Sequence, residues 1–238
     1  MFDVAPDEQA RVLHITFLTL AMAGASTLLA CAAGIPLGAW LGLRKGKFGF
    51  AFRVFTHTFY GMPPVLAGLM VYLLLSRAGP LGPLGILFTP EAMVVAQFVI
   101  LFPLLSGLVA SAVAAVEPAV IDTCRSLGAS PRQLRWTTIA EARFGIITAI
   151  MLSFGRAISE VGAVIMVGGN IKWHTQVLTT AILLETSTGN FSYALYLGAI
   201  LLGLAAVTAF LLTVLQHDEE SGWIAALARR LRRRRRGR

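Results

Sequence analysis

Apolar residues fill long continuous stretches of this 238-residue chain, and short polar segments separate these stretches. A helix that crosses a lipid bilayer needs about 20 consecutive, mostly apolar residues. The segment 177–184 is apolar but too short to cross, so we interpret it as an interfacial or re-entrant helix. The pattern predicts an all-α membrane bundle whose five spans lie at residues 13–43, 55–75, 92–115, 144–167 and 193–215.

The composition supports an integral membrane protein, because 56% of the residues are apolar and only 13% are charged. Outside the apolar stretches there is no segment long enough to fold separately. We therefore expect one transmembrane domain over residues 1–215 and a basic tail over residues 216–238. The N-terminus carries Asp3, Asp7 and Glu8, whereas a signal peptide begins with positive charge. The first apolar segment is therefore expected to be retained as a span.

Basic residues are distributed unevenly between the two sides of the predicted bundle. If the N-terminus lies outside, the outer side carries Arg11, Arg77 and Lys172, and the other side carries sixteen Lys and Arg residues. The positive-inside rule then places the C-terminus in the cytoplasm. Eight of the last ten residues are arginines, which favours contact with anionic lipid headgroups or a role in topology. A specific protein or RNA role for this tail is the alternative, and no nucleic-acid partner is expected for the chain.

A polar, basic segment separates the third and fourth predicted spans, at residues 117–143, and is called the Gly128 loop below. It is predicted to be helical on both sides of Gly128, and Ser130 with Pro131 is a typical helix start. Two short helices at an angle would lie on the cytoplasmic membrane surface and could dock into a groove of another protein. An ordinary amphipathic loop is the alternative.

Helix-breaking residues occur inside three of the predicted spans. They are Pro36, the run Gly61-Met62-Pro63-Pro64, and Pro103. We expect them to interrupt helices at or near membrane depth, where the freed backbone groups need partners from neighbouring helices or from water in a cavity. A bundle that conducts a solute has such a cavity, so this pattern favours a pathway. Kinks that only improve packing are the alternative.

The fourth predicted span contains two ionisable residues, Arg156 and Glu160. Their spacing places them on one face of a helix, where they can form an ion pair. Ionisable groups at this depth face the bundle interior or a cavity. Either the pair fixes packing, or Arg156 supplies positive potential to an anion path while Glu160 prevents the anion from being held too tightly. Gln97 in the third span is a further candidate for lining this interior.

A glycine-rich turn follows the fourth span, and we expect a short helix to begin at Thr175. Glycines, hydroxyl groups and the free N–H groups of a helix start suit an oxyanion. A simple turn with a helix cap is the alternative. The residues considered for contact with the anion are Gly168, Gly169, Asn170, Thr179 and Thr180.

Enzymatic motifs are absent from the sequence. It contains no Gly-x-x-x-x-Gly-Lys-Ser/Thr phosphate loop, so the chain is not expected to bind or hydrolyse ATP through that motif. The four histidines are scattered, and Cys31 and Cys124 lie in different settings, so neither a metal site nor a disulfide is expected. We expect a transport subunit that is not an enzyme and has no cofactor.

The Gly128 loop resembles the coupling loop of ABC importer membrane subunits, in which an acid and a Gly six residues later mark the contact with the ATPase. Here these are Asp122 and Gly128, with the run Ser-Leu-Gly-Ala-Ser at 126–130. The family's Glu-Ala-Ala start reads Asp-Thr-Cys in this chain, and its closing Ile-x-Leu-Pro is absent. The resemblance implies ATPase contacts at Asp122, Arg125, Ser126, Leu127, Gly128, Ala129, Ser130, Pro131 and Arg132.

Further runs extend the resemblance over residues 10–215. Residues 61–65, which include Pro63 and Pro64, and residues 154–163 resemble the molybdate, tungstate and sulfate group of permeases. Three more parts of the chain resemble the tungstate permeases in particular, at residues 76–85, 88–93, and 168–171 with 178–182.

The resemblance implies a bundle of the type I ABC importer permease, MetI-like kind, in the bacterial inner membrane. It implies a homodimer of permease subunits with the path at their interface, two cytoplasmic ATP-binding cassette ATPase subunits, and an extracytoplasmic oxyanion-binding protein. Tungstate is the expected substrate, and molybdate, sulfate and thiosulfate are the alternatives. A secondary anion transporter that acts alone is the rival from another class.

Overall fold

The computed structural model describes residues 6–44, 51, 54, 56 and 58–236, and within them the chain forms helices and no strands. A short 3-10 turn at Gly82–Leu84 precedes the helix Pro90–Ala114. The expected all-α fold is confirmed. In chain order the helices are α1 (Pro6–Leu43), α2 (Pro64–Leu75), α3 (Pro90–Ala114), α4 (Pro118–Ser126), α5 (Pro131–Glu141), α6 (Arg143–Ile158), α7 (Gly162–Gly168), α8 (Leu178–Ser187) and α9 (Phe191–Arg236).

Among the described residues, three helices are long and apolar enough to cross a membrane, at Glu8–Leu43, Pro90–Ala114 and Phe191–Leu211. Helices α5 and α6 meet the same criterion together, but the chain bends by 53° between them, so a fourth span exists only if this pair counts as one. The apolar helix α2 has 12 residues, fewer than the roughly 20 of a full span. The second predicted span, 55–75, begins at positions that lie partly outside the described residues. The count of five spans therefore stays a prediction.

Two of the predicted helix interruptions are wrong. Pro36 lies inside α1 and Pro103 inside α3, and both helices continue through their proline. A proline removes one backbone hydrogen bond, which a helix tolerates when neighbouring helices support it on both sides of the kink. The third interruption is confirmed, because Gly61 lies in a turn and α2 begins at Pro64.

The fourth predicted span, 144–167, is not one continuous helix. Helix α6 ends at Ile158 and α7 begins at Gly162, and the three residues between them, 159–161, are called the helix break below. Arg156 and Glu160 therefore lie on either side of a helix end and do not share one helical face. The helix expected to begin at Thr175 begins instead at Leu178. The Thr175 hydroxyl is used in the preceding turn, where it donates to the carbonyl of Gly168.

Helices α1 and α3 approach closely because glycines recur every four residues on α1. A Cβ atom on Gly38 would lie 2.5 Å from the carbonyl oxygen of Ser106, and one on Gly42 would lie 2.7 Å from that of Ala110. Only glycine fits at such positions, and small residues at this spacing bring membrane helices into backbone contact. The close contact holds α1 along α3 and buries Leu101 and Leu105 between α1, α3 and α6.

Helix α3 is the centre of the bundle and α9 lies at its edge. Of the apolar membrane-length stretch in each helix, 61% is buried in α3 but only 11% in α9. One apolar cluster joins α1, α3 and α6, and a second joins α2, α3 and α7. A third cluster packs the start of α1 against α8 and α9 through Ile15, Leu178 and Leu197. The helix break between α6 and α7 therefore lies where the first two clusters meet on α3.

Candidate functional site

The helix break is organised by one buried carboxylate. Glu160 is 4% exposed, and its Oε2 accepts a hydrogen bond from Nη1 of Arg156 at 2.5 Å. Its Oε1 accepts a hydrogen bond from the backbone N–H of Ala163 at 3.1 Å, in the first turn of α7. A negative charge at a helix N-terminus is favourable, and a cation near a helix C-terminus is also favourable. Glu160 therefore stabilises the start of α7, and its partner Arg156 stabilises the end of α6.

Backbone carbonyls at the helix break receive hydrogen bonds from two other helices, and a third helix holds one of the donors. Nε2 of Gln97 on α3 donates to the carbonyl of Ala157 at 3.1 Å, and its Oε1 accepts from Oγ of Ser26 on α1 at 2.9 Å. The hydroxyl of Thr179 on α8 donates to the carbonyl of Glu160 at 2.8 Å. Irregular backbone inside a membrane needs such partners because no water is available there. The surrounding bundle thus accounts for the stability of the break.

Arg156 differs from Glu160 in its exposure, since the arginine side chain is 36% exposed and the glutamate side chain 3%. The guanidinium group therefore reaches the surface of the single chain while its partner stays inside. The Pro63-Pro64 run lies beside the same break, because a Cβ atom on Gly162 would contact Cβ of Pro64 at 3.4 Å. The structure thus brings together five predicted pathway residues: Pro64, Gln97, Arg156, Glu160 and Thr179.

Of the remaining pathway candidates, Gly168, Gly169 and Asn170 lie at the other end of α7, about 10 Å away along its axis. Thr180 follows Thr179 in the first turn of α8. Gly169 and Asn170 have positive φ values of 69° and 51° and form the turn that follows Gly168. Two N–H groups at the start of α8 are occupied within the protein. That of Leu178 donates to Thr19 at 3.0 Å and that of Val177 to Thr180 at 3.1 Å. Contact between these residues and an anion stays a prediction.

The Gly128 loop has the predicted geometry of two short helices on either side of a glycine. Gly128 has a φ of 79°, a left-handed conformation that glycine adopts without strain. Its N–H donates to the carbonyl of Arg125 at 3.0 Å, and the N–H of Ala129 donates to that of Cys124 at 3.0 Å. These two bonds form a Schellman motif, which satisfies the last carbonyls of a helix. They fix the direction in which the chain leaves α4.

The second helix of the Gly128 loop begins with a capping box. Oγ of Ser130 accepts from the N–H of Gln133 at 3.3 Å, and Oε1 of Gln133 accepts from the N–H of Ser130 at 2.8 Å. Pro131 occupies the first helical position. The backbone N–H at this position has no partner within a helix, so a proline there costs no hydrogen bond. Sequence reasoning identified Ser130 and Pro131 but missed Gln133. The Ser-x-x-Gln spacing was the signal for it.

The surface of the Gly128 loop is available to a partner. Helix α4 has no buried residue among its nine, and Leu127 at its end is 81% exposed. Asp122 pairs with Arg125 at 3.3 Å, but both side chains are mostly in solvent, so the pair contributes little stability. Ala129 is half-buried, and the other predicted coupling residues are exposed: Asp122, Arg125, Ser126, Gly128, Ser130, Pro131 and Arg132.

A second ion pair, missed by sequence reasoning, lies where α1 begins. Nη2 of Arg11 donates to Oε1 of Glu185 on α8 at 2.9 Å and to Oε1 of Gln176 at 3.0 Å. The other oxygen of Glu185 accepts from Nδ2 of Asn190 at 3.1 Å. The Arg11 and Glu185 side chains are 13% and 12% exposed. Two opposite charges at the ends of apolar segments were the sequence signal for this pair. Sequence reasoning used Arg11 only as an outer-side charge and did not consider Glu185.

These features define a class of protein. A bundle of apolar helices with a buried, ion-paired helix break and an exposed helix pair on its surface is typical of a multi-pass membrane transport subunit. The family model described as "Binding-protein-dependent transport system inner membrane component" matches residues 34–218. The chain therefore belongs to this family of ABC importer permeases, and it is a multi-pass protein of the inner membrane.

Relatives of known function are similar over most of the chain. The "Probable anion ABC transporter permease protein" of Haloferax volcanii is 38% identical, and the match covers 86% of this chain and 90% of that protein. The "Tungstate uptake system permease protein TupB" of Peptoclostridium acidaminophilum is 36% identical and covers 87% and 91%. The "Molybdenum transport system permease protein ModB" of Azotobacter vinelandii is 30% identical and covers 69% and 76%. The predicted resemblance to this group is confirmed.

Solved structures agree on the fold. An amino acid ABC transporter matches with a TM-score of 0.70 at 16% identity and covers 92% of this chain and 99% of that one. The inward-facing MetNI methionine ABC transporter matches with a TM-score of 0.70 at 18% identity and covers 90% and 98%. The chain therefore has the MetI-like permease fold that the sequence predicts.

Proposed function

We propose that this permease forms the translocation path for an oxyanion, with tungstate as the preferred substrate, in an importer driven by ATP that a separate subunit hydrolyses. Similarity to two TupB proteins, both at 36% identity, supports tungstate. Similarity to molybdenum and sulfate permeases at 30% identity supports an oxyanion in general. The chain itself has no phosphate-loop sequence, so it acts as a transport subunit that needs no cofactor of its own.

The observation that carries the ATP-driven part of this proposal is the exposed, self-stabilised helix pair of the Gly128 loop. Its two caps hold the shape of the loop, and its side chains leave Leu127 free to enter a groove on an ATPase. Helix α5 continues through Ala142 into α6 with a bend of 53°, and α6 ends at the helix break. A displacement of the loop by two closing ATPase subunits is thereby transmitted along α6 to Arg156. Rigid-body movements of this kind drive alternating access.

At the helix break, Arg156 provides the positive potential that an anion needs inside a membrane, and Glu160 limits how tightly the anion is held. The half-exposed guanidinium and the buried carboxylate suit this division of roles. Pro63 and Pro64 act with the break as part of the gate, and Gln97 and Thr179 support its backbone. The Gly168-Gly169-Asn170 turn lines the path at the other end of α7, and Thr180 lines it from the first turn of α8.

A second copy of the chain completes the path. Arg156 is partly exposed in one chain, although a guanidinium group does not face lipid at this depth. Helix α2, whose start lies beside the helix break, is apolar on its outer side as well. The side chains exposed on this side of α2 suit contact with the partner copy: Val65, Leu66, Leu69, Met70, Leu73 and Leu74.

The orientation that this function requires is an outer N-terminus and a cytoplasmic Gly128 loop and C-terminus. Cys124 lies in α4, and Cys31 lies in α1, so a Cys31→Ala variant reports on Cys124 alone. A membrane-impermeant thiol reagent should leave this variant unlabelled in intact cells and label it in inverted vesicles stripped of the ATPase. Efficient labelling from outside would reverse the orientation and remove the basis for ATPase docking.

The decisive experiment isolates the assembled complex through a tag on this chain and reconstitutes it in vesicles. We expect an ATP-binding cassette ATPase to co-purify, and an oxyanion-binding protein to be required for uptake. Uptake of tungstate should require ATP on the side of the membrane where the ATPase lies. It should exceed the uptake of molybdate and of sulfate. Uptake that follows an ion gradient without ATP would instead identify a secondary transporter. Preferential uptake of molybdate, sulfate or thiosulfate would correct the substrate.

A further inference from the structure

A cleft of about 590 Å³ lies where the end of α1 meets both helices of the Gly128 loop, and we call it the basic cleft. Three arginines and one acid line it: Arg44, Arg125, Arg135 and Asp122. Asp122 pairs with Arg125, which leaves Arg44 and Arg135 as the excess positive charge. The cleft therefore favours an anionic group.

Both of these arginines are held in place by contacts inside the chain. The guanidinium carbon of Arg44 lies 4.0 Å from the centre of the Trp40 ring, in a cation–π arrangement. Nε of Arg135 donates to the carbonyl of Pro131 at 3.2 Å, in the first turn of α5. Arginine presents five N–H donors in a fixed fork that matches a phosphate group. The guanidinium group of Arg135 uses one of its donors, Nε, on the backbone. This bond orients the guanidinium group before any ligand binds.

A second hollow of about 410 Å³ adjoins the basic cleft, and we call it the apolar groove. It runs between α1 and α5, from Pro36 within α1 to Trp136. Most of its exposed lining surface is apolar, although Arg132 and Arg135 also line it, and Trp136 is 65% exposed. The two hollows share Trp40, Leu43 and Arg135. A ligand that fills both must have an anionic end and an apolar end.

We propose that the basic cleft and the apolar groove together bind one anionic phospholipid molecule, with its phosphate at Arg44 and Arg135 and an acyl chain along the groove. The proposal rests on the membrane orientation proposed above, which puts the cleft at the cytoplasmic surface, where anionic lipids attract basic residues. Tryptophan at the end of an apolar helix is typical of that boundary. A free phosphate ion would leave the groove unused, which is why the lipid is the occupant that fits both hollows.

The bound lipid would bridge α1 and α5, because each helix contributes an arginine to the headgroup and a tryptophan to the hollows. It would thereby hold the Gly128 loop against the end of α1. Anionic lipid in the membrane would then be a structural partner of the loop, separate from any contact of the C-terminal tail with the membrane surface.

The test uses Trp40 as the reporter in the full chain, assembled with its ATPase in vesicles. The other three tryptophans of the chain are replaced, as Trp136→Phe, Trp173→Phe and Trp223→Phe. Brominated lipids quench tryptophan fluorescence on contact. Two sets of vesicles of otherwise equal composition contain either brominated phosphatidylglycerol or brominated phosphatidylcholine. We expect phosphatidylglycerol to be preferred over phosphatidylcholine by roughly tenfold in relative affinity at Trp40.

The variant Arg44→Gln with Arg135→Gln should abolish this preference, because it removes the excess charge of the cleft while keeping the groove. Arg143→Gln is the matched control, since Arg143 is the last residue of the loop and does not line the cleft. It should retain the preference. A count of phospholipid that remains on the purified complex should fall in the double variant, and this measurement does not depend on the reporter.

Several outcomes would overturn the proposal. Equal quenching by both brominated lipids would mean that Trp40 meets only bulk lipid. Displacement of the preference by millimolar inorganic phosphate would identify a site for free anions. Full protection from both quenchers by the bound ATPase would assign the hollows to that partner. None of these outcomes depends on uptake of tungstate, so a failed transport proposal and a failed lipid proposal give different results.

Discussion

The Gly128 loop and the helix break are two polar interruptions of an apolar chain, and they are stabilised in opposite ways. Every hydrogen bond that shapes the loop joins residues at most five positions apart, as in the pair Ser130 and Gln133. The break has the local bonds of Glu160 to Arg156 and Ala163, but it also depends on bonds that reach across the sequence. These span 60 positions from Gln97 to Ala157 and 19 from Thr179 to Glu160. The loop therefore keeps its shape by itself, whereas the break exists only inside the assembled bundle.

This difference separates the expected effects of mutation. Changes in α4 and the turn at Gly128 should act on docking and transport while the bundle stays folded, since no residue of α4 is buried and Gly128 and Ser130 are exposed. Changes at the break should act on folding and transport together, because Glu160 and Gln97 are buried and bonded to several helices. Each prediction below tests one side of this comparison by measuring both assembly and uptake.

The largest effect on transport is expected for Gly128→Val. A β-branched residue in the left-handed conformation costs about 1–2 kcal/mol or more, so the turn should change direction and weaken docking to the ATPase. Uptake should be abolished while the amount of inserted protein stays normal. Gly128→Asn is the matched control, because asparagine adopts this conformation more readily, and it should retain much of the uptake. A Gly128→Val protein that transports at the full rate would show that the turn does not matter for coupling.

The second prediction concerns the ion pair at the helix break. Arg156→Gln should reduce anion uptake per assembled complex by roughly tenfold, because it removes positive potential from the path. Glu160→Gln should give a complex that assembles but releases the anion slowly. Uptake per complex and the amount of complex are measured for both variants and for the double change.

A purely structural pair gives a different pattern. Both single changes would then lower the amount of folded protein, and the double change would recover much of it, since no charge would be left without a partner. Normal uptake per complex in Arg156→Gln would exclude the pathway role and leave the break as a packing feature.

The third prediction addresses the support of the break by α3. Gln97→Leu removes the donor to the carbonyl of Ala157 and the acceptor for Ser26, so each of these buried groups loses one hydrogen bond. The carbonyl keeps the N–H of Glu160 at 3.3 Å, and the hydroxyl keeps the carbonyl of Ala23 at 3.2 Å. The expected loss is about 0.5–1.5 kcal/mol for each lost hydrogen bond, seen as a lower thermal midpoint of the purified protein. Ser26→Ala, which removes only one of the two bonds, should cost less. Equal stability of Gln97→Leu and the wild type would mean that the break does not depend on α3.

The smallest effect is expected for Ser130→Ala. Loss of the capping box should destabilise α5 locally by about 0.5–2 kcal/mol and reduce ATPase docking slightly. The thermal midpoint of the bundle should not move, because Ser130 is exposed and belongs to none of the three apolar clusters. Ser126→Ala is a matched control in the same loop, since its hydroxyl makes a single exposed bond to the carbonyl of Thr123 at 2.8 Å. A clear drop in bundle stability for Ser130→Ala would contradict the independence of the loop.

Much of the architecture and of the loop could be predicted from the sequence. The apolar stretches predict the long helices α1, α3 and α9. The two helices of the loop follow from a glycine and a Ser-Pro start. The candidate pathway was predicted in part, since Arg156 and Glu160 do pair. The break between α6 and α7 was not predicted, because no proline or glycine marks residues 159–161.

The sequence by itself determined the features that depend on neighbouring residues: helix starts, helix ends, the shape of the Gly128 loop and the apolar character of the bundle. The tertiary structure decided which helices continue through their prolines, where the fourth apolar segment breaks, and which groups satisfy that break. The physical reason is the range of the interactions. Caps and turns are closed within a few residues, whereas a broken helix inside a membrane is stable only when distant side chains, here Ser26, Gln97 and Thr179, support it.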